Sequence, residues 1–526
     1  MKLTRILNFK NFVLFILFAS VFFFSFAMLN NNVLCYDDVI LLSDSTASGL
    51  KAHLENINYG TWVLQAENVL LFYLPYKLGF NIQDWACSFG GIIKALVVSG
   101  FGVVFYNFIK TEKLPLKISL PFVLFFFFLY VILIFKTSNI DLTIYHGFFR
   151  FVFSSLLMTV FTFMYYKLFV YKKCNLFVIL PFSVITAASS EVTAAILLSM
   201  VFISVITKIF WNKYRHSNHN LNLKNDFLIF LCLCTGLILL CISSGFQVHL
   251  DNSSKIQGFR DYVNLFCPFV KMFVKTIILN YIWIYICCII SYLLILKKST
   301  TKIAVRKITF SIISVLSVWT FAFSLILMGK GSRGGSFWLD HPDIYSILIP
   351  LLIIAVIIPV GFVFHKYLVK AEHIITALLI GGLLLTYQPL IISYKNMNSI
   401  LNTIKVLAYT RDKMLAFCYY NNFSLPQSDI IDYMYISIED INPENTDKPI
   451  CKIDDMDFFH DVLNDSYMPF IYGIKEPETS KKIYGIITLK DTAQYLKSKG
   501  FTIDETKSGK YKFSDIKNKN FVMNKK

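Results

Sequence analysis

Apolar residues occur in long runs over the first three quarters of the chain, and short polar or basic segments separate these runs. A membrane-spanning helix needs about 20 mainly apolar residues to cross a hydrocarbon core about 30 Å thick. The pattern predicts eleven such helices, at about 11–29, 86–109, 118–135, 149–166, 175–190, 192–211, 226–245, 277–296, 308–328, 344–364 and 374–393. The predicted fold is therefore a polytopic α-helical membrane protein.

The tail has a different composition from the residues before it. From about residue 394, apolar runs shorten to strand length, and Gly, Asn, Asp and Lys become more frequent. A segment of about 130 residues can bury a core of its own. We therefore expect two domains, a transmembrane domain over 1–393 and a soluble α/β domain over 394–526.

Composition and charge narrow the class of protein. Of the 526 residues, 56% are apolar and 16% are charged, whereas a soluble protein carries about 25% charged residues. The formal charge is +17, yet residues 401–526 hold 18 basic and 18 acidic residues. The basic excess therefore lies in the membrane part, where loop charges orient helices. This composition excludes a soluble enzyme and gives no indication of nucleic-acid binding.

The charges of the loops predict the orientation of the helices. If the N-terminus is cytoplasmic, the loops on that side contain most of the basic residues, at 110–117, 167–173, 208–224, 297–307 and 366–370. The opposite loops contain most of the acidic residues, which follows the positive-inside rule and makes the C-terminal domain extracytoplasmic. The first apolar run is longer than a signal-peptide core of about 7–15 residues, so we expect a retained anchor.

Residues 175–211 form one nearly continuous apolar run. A single helix of that length would measure about 55 Å at about 1.5 Å per residue, far more than the hydrocarbon core. The small and polar sequence from Ala187 to Glu191 therefore predicts a break between two helices. The break puts Glu191 at the outer membrane surface and keeps the basic clusters at 172–173 and 213–215 on one side.

The first outer loop, over 30–85, contains a predicted surface element and a pair of acids. The weakly apolar piece from Trp62 to Phe80 is too polar to span the membrane, and it predicts helices in the membrane interface. Asp37 and Asp38 lie close to the first span, where their mutual repulsion makes one of them a better proton acceptor near neutral pH. The alternative is a solvated pair that contributes only to topology.

Glu191 is a further acidic candidate. An ionisable residue inside an apolar run is costly in a bilayer and is by default a functional hypothesis. The alternative is that Glu191 lies at the interface and caps the following helix, together with Ser189 and Ser190.

Some basic residues of the outer side are candidates for binding an anion. They are His146, Arg150, Arg260, Lys330 and Arg333. Arginine forms bidentate contacts with phosphate, and the backbone of the glycine-rich loop 329–335 could also approach an anion. For Lys271 and Lys275 we favour the alternative, contact with lipid headgroups. The 11 cysteines and nine histidines show no metal-binding spacing, and whether Cys418 and Cys451 form a disulfide stays open.

Several short motifs resemble a known class of membrane enzymes. They are Cys35-Tyr36-Asp37-Asp38, Tyr59-Gly60-Thr61-Trp62 with Tyr73-Leu74-Pro75, Ser189-Ser190-Glu191-Val192-Thr193, Tyr409-Thr410-Arg411-Asp412 and Asn421-Asn422-Phe423-Ser424-Leu425-Pro426. With the predicted spans and outer tail, the chain looks like the GT-C class of membrane glycosyltransferases. More narrowly, it resembles the bacterial O-antigen glucosyltransferases and related uncharacterised families, which often have an Arg where this chain has Thr61.

The resemblance implies transfer of a hexose from a polyprenyl-phosphate donor to an extracytoplasmic glycan or lipid-linked acceptor, as part of cell-envelope polysaccharide synthesis. Asp37 or Asp38 would be the general base, and the sugar would be inverted at its anomeric carbon. The candidate cations would bind the leaving phosphate, and Glu191 would position the acceptor or hold the other groups in register. The aspartate pair permits a divalent cation such as Mg²⁺ or Mn²⁺ without requiring one.

The implied partners are the donor, the acceptor and the lipid bilayer, and the implied location is the bacterial inner membrane. A different class of function is a lipid-linked oligosaccharide polymerase, a flippase or another transporter. A transporter should show broken helices at matching positions in two halves, and a polymerase would carry a large outer loop between spans. A third possibility is a non-catalytic membrane protein whose outer tail binds a partner.

Overall fold

The structure is a computed structural model of the chain. It describes residues 69–80, 89–111, 116–135, 148–173, 175–214, 223–242, 302–327, 342–365, 501–503 and 523–525, with isolated positions in 18–25, 271–293 and 381–392 and at 85 and 114.

The α-helices are α1 (Leu74–Lys77), α2 (Gly91–Thr111), α3 (Leu116–Phe135), α4 (Ser154–Tyr171), α5 (Leu176–Ser189), α6 (Glu191–Tyr214), α7 (Leu223–Ile242), α8 (Lys302–Leu327) and α9 (Pro342–Val363). The π-helical segments Val69–Tyr73 and Phe148–Phe153 lead into α1 and α4.

The described part of the predicted α/β tail is one pair of short strands. β1 (Phe501–Ile503) pairs antiparallel with β2 (Met523–Lys525), with Phe501 opposite Lys525. The rest of the segment 394–526 lies outside the described residues, so the α/β domain stays a prediction.

Apolar helices make up most of the described chain. Five are long and apolar enough to cross a membrane, namely Gly91–Thr111, Phe151–Tyr171, Glu191–Phe210, Leu223–Ile242 and Ile303–Thr320. Three shorter apolar helical segments are Ile118–Ile134, Leu176–Ser189 and Leu348–Val363. All eight coincide with predicted spans, which confirms the prediction of a multi-pass helical membrane protein. The predicted spans at 11–29, 277–296 and 374–393 lie mostly outside the described residues.

The predicted break before Glu191 is confirmed. Helix α5 ends at Ser189, Ser190 is extended with φ −162° and ψ 143°, and α6 begins at Glu191. The start of α5 is capped by the Asn175 side chain, which accepts a hydrogen bond from the Phe177 N–H at 3.0 Å. The apolar run is therefore divided into two helices with defined ends.

The described part of the predicted interfacial segment is helical and has an exposed apolar face. Leu70, Leu74 and Leu78 follow one another at intervals of four residues, and all three are exposed. Lys77 Nζ lies 5.5 Å from the ring centroid of Tyr73. An apolar face beside a basic residue is typical of a helix that lies on a membrane surface, and the location of this segment in the interface stays a prediction.

Contacts between side chains establish the relative directions of the helices. Helices α2 and α4 run parallel, because Phe108 packs on Phe163 with ring centroids 5.0 Å apart. Further along both helices, the Tyr171 hydroxyl donates to the Thr111 C=O at 3.3 Å. Helix α3 follows α2 after the short connection 112–115 and returns in the opposite direction.

The later helices continue this alternation. Lys208 near the end of α6 pairs with Asp226 near the start of α7, so these helices are antiparallel. Helix α8 starts beside the end of α4, where Arg306 Nη1 donates to the Val170 C=O at 3.3 Å. These contacts bring the ends of α4 and α6 and the starts of α7 and α8 together.

We call this end of the bundle the basic end, since its described residues include Lys172, Lys173, Lys208, Lys224, Arg306 and Lys307. The sequence predicts that these basic clusters share one side of the membrane, and the helix directions agree. The turn between α5 and α6 lies at the other end of the bundle, which we call the Glu191 end.

Aromatic side chains fill the centre of the bundle. Phe310 of α8 contacts the rings of Tyr165, Tyr166 and Phe169 of α4, with centroids 6.2, 5.2 and 5.7 Å apart. All four side chains are buried. Because lipid tails are as apolar as leucine, this interlocking of rings, rather than exclusion of water, holds the helices together.

Hydroxyl groups within the helices bond mainly to their own backbone. The donors whose acceptor is the carbonyl four residues earlier include Ser99, Thr159, Thr162, Ser183, Thr186, Ser204, Ser314 and Ser317. Each hydroxyl is thereby satisfied where water is absent. These groups add little to contacts between helices.

Helices α5 and α7 approach each other closely at Gly236. A Cβ atom added to Gly236 would lie 2.5 Å from the Val184 carbonyl oxygen and 2.7 Å from the Ala187 Cβ. Small residues at a crossing point allow two backbones to come together. Gly236 therefore sets the spacing of this helix pair.

We expect Gly236→Ala to lower the free energy of unfolding by about 1–3 kcal/mol, because the added methyl group forces the two backbones apart. Gly381→Ala is the matched control, since among the described residues no atom outside its own helix backbone lies within 4 Å of its added Cβ. Thermal unfolding of the detergent-purified full-length protein measures both. Equal unfolding temperatures for the two variants would contradict the close packing of α5 on α7.

Candidate functional site

Two of the predicted site residues, Arg150 and Glu191, fall in the described part of the chain. The others are Asp37, Asp38, His146, Arg260, Lys330 and Arg333, which lie outside the described residues. The structure brings Arg150 and Glu191 to the same end of the bundle, because α4 and α6 both end at the basic end and therefore both start at the Glu191 end.

Arg150 belongs to the π-helical turn Phe148–Phe153, which continues directly into α4. A π-helical turn inserts an extra residue into a helix, and such turns occur frequently at functional sites. Phe148 and Phe149 before Arg150 are buried, with their rings 5.5 Å apart. The turn that carries Arg150 is therefore anchored in the protein core.

Lys94, in the first turns of α2, is a functional candidate that the sequence prediction missed. Its side chain is fully buried, and its Nζ lies 5.6 Å from the ring centroid of Phe148. A positive charge over an aromatic face is attracted by the ring. The available signal was a lysine inside the predicted span 86–109, where an ionisable residue is a functional hypothesis.

Glu191 is the first residue of α6 and is partly exposed. A negative charge in the first turn interacts favourably with the helix dipole. The Ser190 carbonyl accepts the first hydrogen bond of α6, from the Ala194 N–H at 2.9 Å. Ser189 instead donates its hydroxyl to the Thr186 carbonyl at 2.7 Å, so Ser189 bonds back into α5 rather than capping α6.

A second group of polar residues, which we call the Asp226 cluster, lies at the basic end. Lys208 Nζ donates to Asp226 Oδ2 at 2.6 Å, and the Tyr165 hydroxyl donates to Asp226 Oδ1 at 2.9 Å. Asp226 is 1% exposed, and the Lys208 side chain is 20% exposed. The cluster therefore joins α4, α6 and α7 through one buried carboxylate.

The pairing determines the energetics of the Asp226 cluster. Moving two charges out of water is costly, and their attraction offsets that cost only when the geometry is good and further hydrogen bonds complete the site. Both oxygens of Asp226 have a donor here, and Lys208 Nζ also lies 5.0 Å from the ring centroid of Phe169. Removing one partner would leave a buried charge uncompensated.

Other cations surround the Asp226 cluster. The charges of Arg306 and Lys172 interact electrostatically with that of Lys208. Lys307 Nζ lies 5.7 Å from the ring centroid of Tyr171 and is nearly buried. Within the described residues, no group of three or more His, Cys, Asp or Glu side chains could hold a metal ion.

A comparison with known protein families and with curated protein sequences finds no match to this chain.

We expect Lys208→Met to destabilise the protein by about 3–5 kcal/mol, because it leaves the Asp226 carboxylate buried without its cation. The double variant Lys208→Met/Asp226→Leu should recover most of this loss. Thermal unfolding of the full-length protein in detergent measures both. Lys173→Met, at an exposed lysine, is the control, and a Lys208→Met variant as stable as this control would contradict the ion pair.

Two buried tyrosines offer a matched test of the hydrogen bond to Asp226. Tyr165→Phe should destabilise the protein by about 1–3 kcal/mol, because one carboxylate oxygen loses its donor. Tyr130→Phe should be neutral or stabilising, since the buried Tyr130 hydroxyl has no hydrogen-bond partner among the described residues. The same unfolding measurement compares the two variants, and a larger loss for Tyr130→Phe would refute this assignment.

Proposed function

We propose that this chain is a membrane glycosyltransferase that moves a hexose from a polyprenyl-phosphate donor to a glycan or lipid-linked acceptor. The reaction would take place at the Glu191 end, on the extracytoplasmic side of a bacterial inner membrane. The observation that carries the proposal is the break between α5 and α6, which holds the Glu191 carboxylate at the bundle end where Arg150 and Lys94 also lie.

The chemistry requires a base and a positively charged site. An acceptor hydroxyl attacks the anomeric carbon of the donor sugar, and Asp37 or Asp38 takes the hydroxyl proton. The bond between the anomeric carbon and the phosphate oxygen breaks as the new bond forms on the opposite face, which inverts the anomeric centre. The lipid phosphate leaves as a stable anion, so it needs fixed positive charge rather than a general acid.

The positions of the cations along the chain support such a phosphate site. Helix α8 starts at the basic end, so its last residue, Leu327, belongs to the Glu191 end. Lys330 and Arg333 follow Leu327 by three and six positions in the sequence. Both lie outside the described residues, and the proposal places them near that helix end because a chain extends at most about 3.6 Å per residue. Arg150 belongs to the same end.

In the proposed reaction, Glu191 positions the acceptor. Its carboxylate begins α6 and is partly exposed, while the preceding Ser190 is buried. A carboxylate held by a helix end accepts hydrogen bonds from sugar hydroxyls without moving. The proposal includes no metal step, although the pair Asp37 and Asp38 permits a divalent cation.

The test is glycan mass spectrometry on cells of the source organism that lack the gene and carry either the wild-type chain or a variant. The wild type should restore one hexose to a cell-envelope glycan. Asp37→Asn or Asp38→Asn should lower transfer by about 100-fold or more, as expected for loss of a general base, and Glu191→Gln should lower it as well. Asp44→Asn, in the same loop, is the matched control and should retain transfer.

The outcomes separate the proposal from its competitors. Full transfer by both the Asp37 and the Asp38 variants, at normal protein levels, would overturn the mechanism. A change in glycan chain length without loss of a hexose would indicate a polymerase. Accumulation of an unmodified lipid-linked glycan on the cytoplasmic side would indicate a flippase.

A further inference from the structure

The described cations at the basic end exceed the acids that they face. Lys172, Lys208 and Arg306 lie around the ends of α4 and α6 and the start of α8, and the described acidic residue among them is Asp226. The Asp226 carboxylate is already engaged by Lys208 and Tyr165. Counted over the described residues, the three cations therefore retain positive charge that an anion would neutralise.

Within the described part of the chain, Arg306 and Lys172 are the members of this group without an acidic partner. Arg306 Nη1 donates one hydrogen bond to the Val170 carbonyl, whereas a guanidinium group has five N–H donors. Neither Arg306 nor Lys172 forms an ion pair with a described residue. Cations gathered at one end of a helix bundle attract an anion.

The backbone at Lys172 adds an independent argument. Lys172 has φ 55° and ψ 27°, a left-handed conformation that glycine adopts at lower cost. The helix end is closed by backbone groups, since the Lys172 and Lys173 N–H groups donate to the carbonyls of Leu168 and Lys167. The Lys172 side chain is therefore not needed to close the helix, and it is exposed.

An apolar surface lies next to these cations. Phe177, in the first turn of α5, is 92% exposed, and the neighbouring Val178 is also exposed. The chain passes from Lys172 to Phe177 within five residues, so a cation and an apolar side chain are held within about 18 Å of each other along the chain. A free phosphate ion would use only the first, whereas a phospholipid uses both.

We propose that Lys172 and Arg306 bind the phosphate of an anionic phospholipid headgroup, and that the acyl chains of this lipid pack on Phe177 and Val178. The arginine supplies paired N–H donors to phosphate oxygens, and the lysine supplies a point charge. Basic pockets between membrane helices recognise anionic headgroups in this way. The site is independent of the proposed glycosyltransfer, which uses the other end of the bundle.

The test is native mass spectrometry of the delipidated full-length protein, mixed with equal amounts of phosphatidylglycerol and phosphatidylcholine. The wild type should bind phosphatidylglycerol about tenfold more than phosphatidylcholine, and Lys172→Gln/Arg306→Gln should remove most of this preference. Lys173→Gln removes one exposed charge beside the site and should retain the preference. If the double variant does not fold, Lys172→Gln alone replaces it in the test, because Lys172 is exposed. This single variant should lower the preference for phosphatidylglycerol.

Equal binding of the two lipids by the wild type would overturn the proposal, and so would an unchanged preference in the Lys172 variants. Inorganic phosphate separates the two sources of the anion. If millimolar inorganic phosphate displaced phosphatidylglycerol completely, the ligand would be a soluble phosphate and the lipid assignment would be wrong. We expect the lipid to stay bound, because its acyl chains also pack on Phe177 and Val178. For the same reason, Phe177→Ser should weaken the binding of the lipid.

Discussion

A charged group is costly inside a hydrocarbon layer, and this constraint organises the described part of the molecule. Each long helix either leaves its ionisable residues at its ends or gives them a partner. Lys208 and Asp226 are partners of this kind, and the Tyr165 hydroxyl donates a hydrogen bond to the second oxygen of the Asp226 carboxylate. Their pairing joins three helices at one end and thereby fixes the direction of α6 relative to α7. The aromatic core around Phe310 then connects one of these helices, α4, to α8.

Features that depend on local composition could be predicted from the sequence. The apolar runs predict the described helices, the residues from Ala187 to Glu191 predict the break, and the basic loops predict which helix ends share a side. The Asp226 cluster could not be predicted, because its members are separated by 18 and 61 positions and meet only when three helices pack. The burial of Lys94 could not be predicted from the sequence for the same reason. Its position in the sequence is visible, but its burial depends on Phe148, which belongs to a distant turn.

The two ends of the bundle have different chemical character. The Glu191 end combines a partly exposed carboxylate with a π-helical turn that contains Arg150 and with the buried Lys94. The basic end combines many cations with one buried acid. A reaction that needs a base and a phosphate site suits the first arrangement, whereas the second suits attachment to an anionic surface. The same rule on charges in membranes therefore accounts for both the topology and the candidate sites.

The length of α5 has a consequence for the surrounding lipid. Its 14 residues measure about 21 Å at about 1.5 Å per residue, which is about 9 Å less than the average hydrocarbon thickness. The helix is held against α7 at Gly236, so it cannot slide along the bundle to reduce this hydrophobic mismatch. A short helix is accommodated by thinning of the bilayer, by snorkelling of its flanking residues or by association with other helices. Where thinning is the response, headgroups and water are drawn inward next to Glu191.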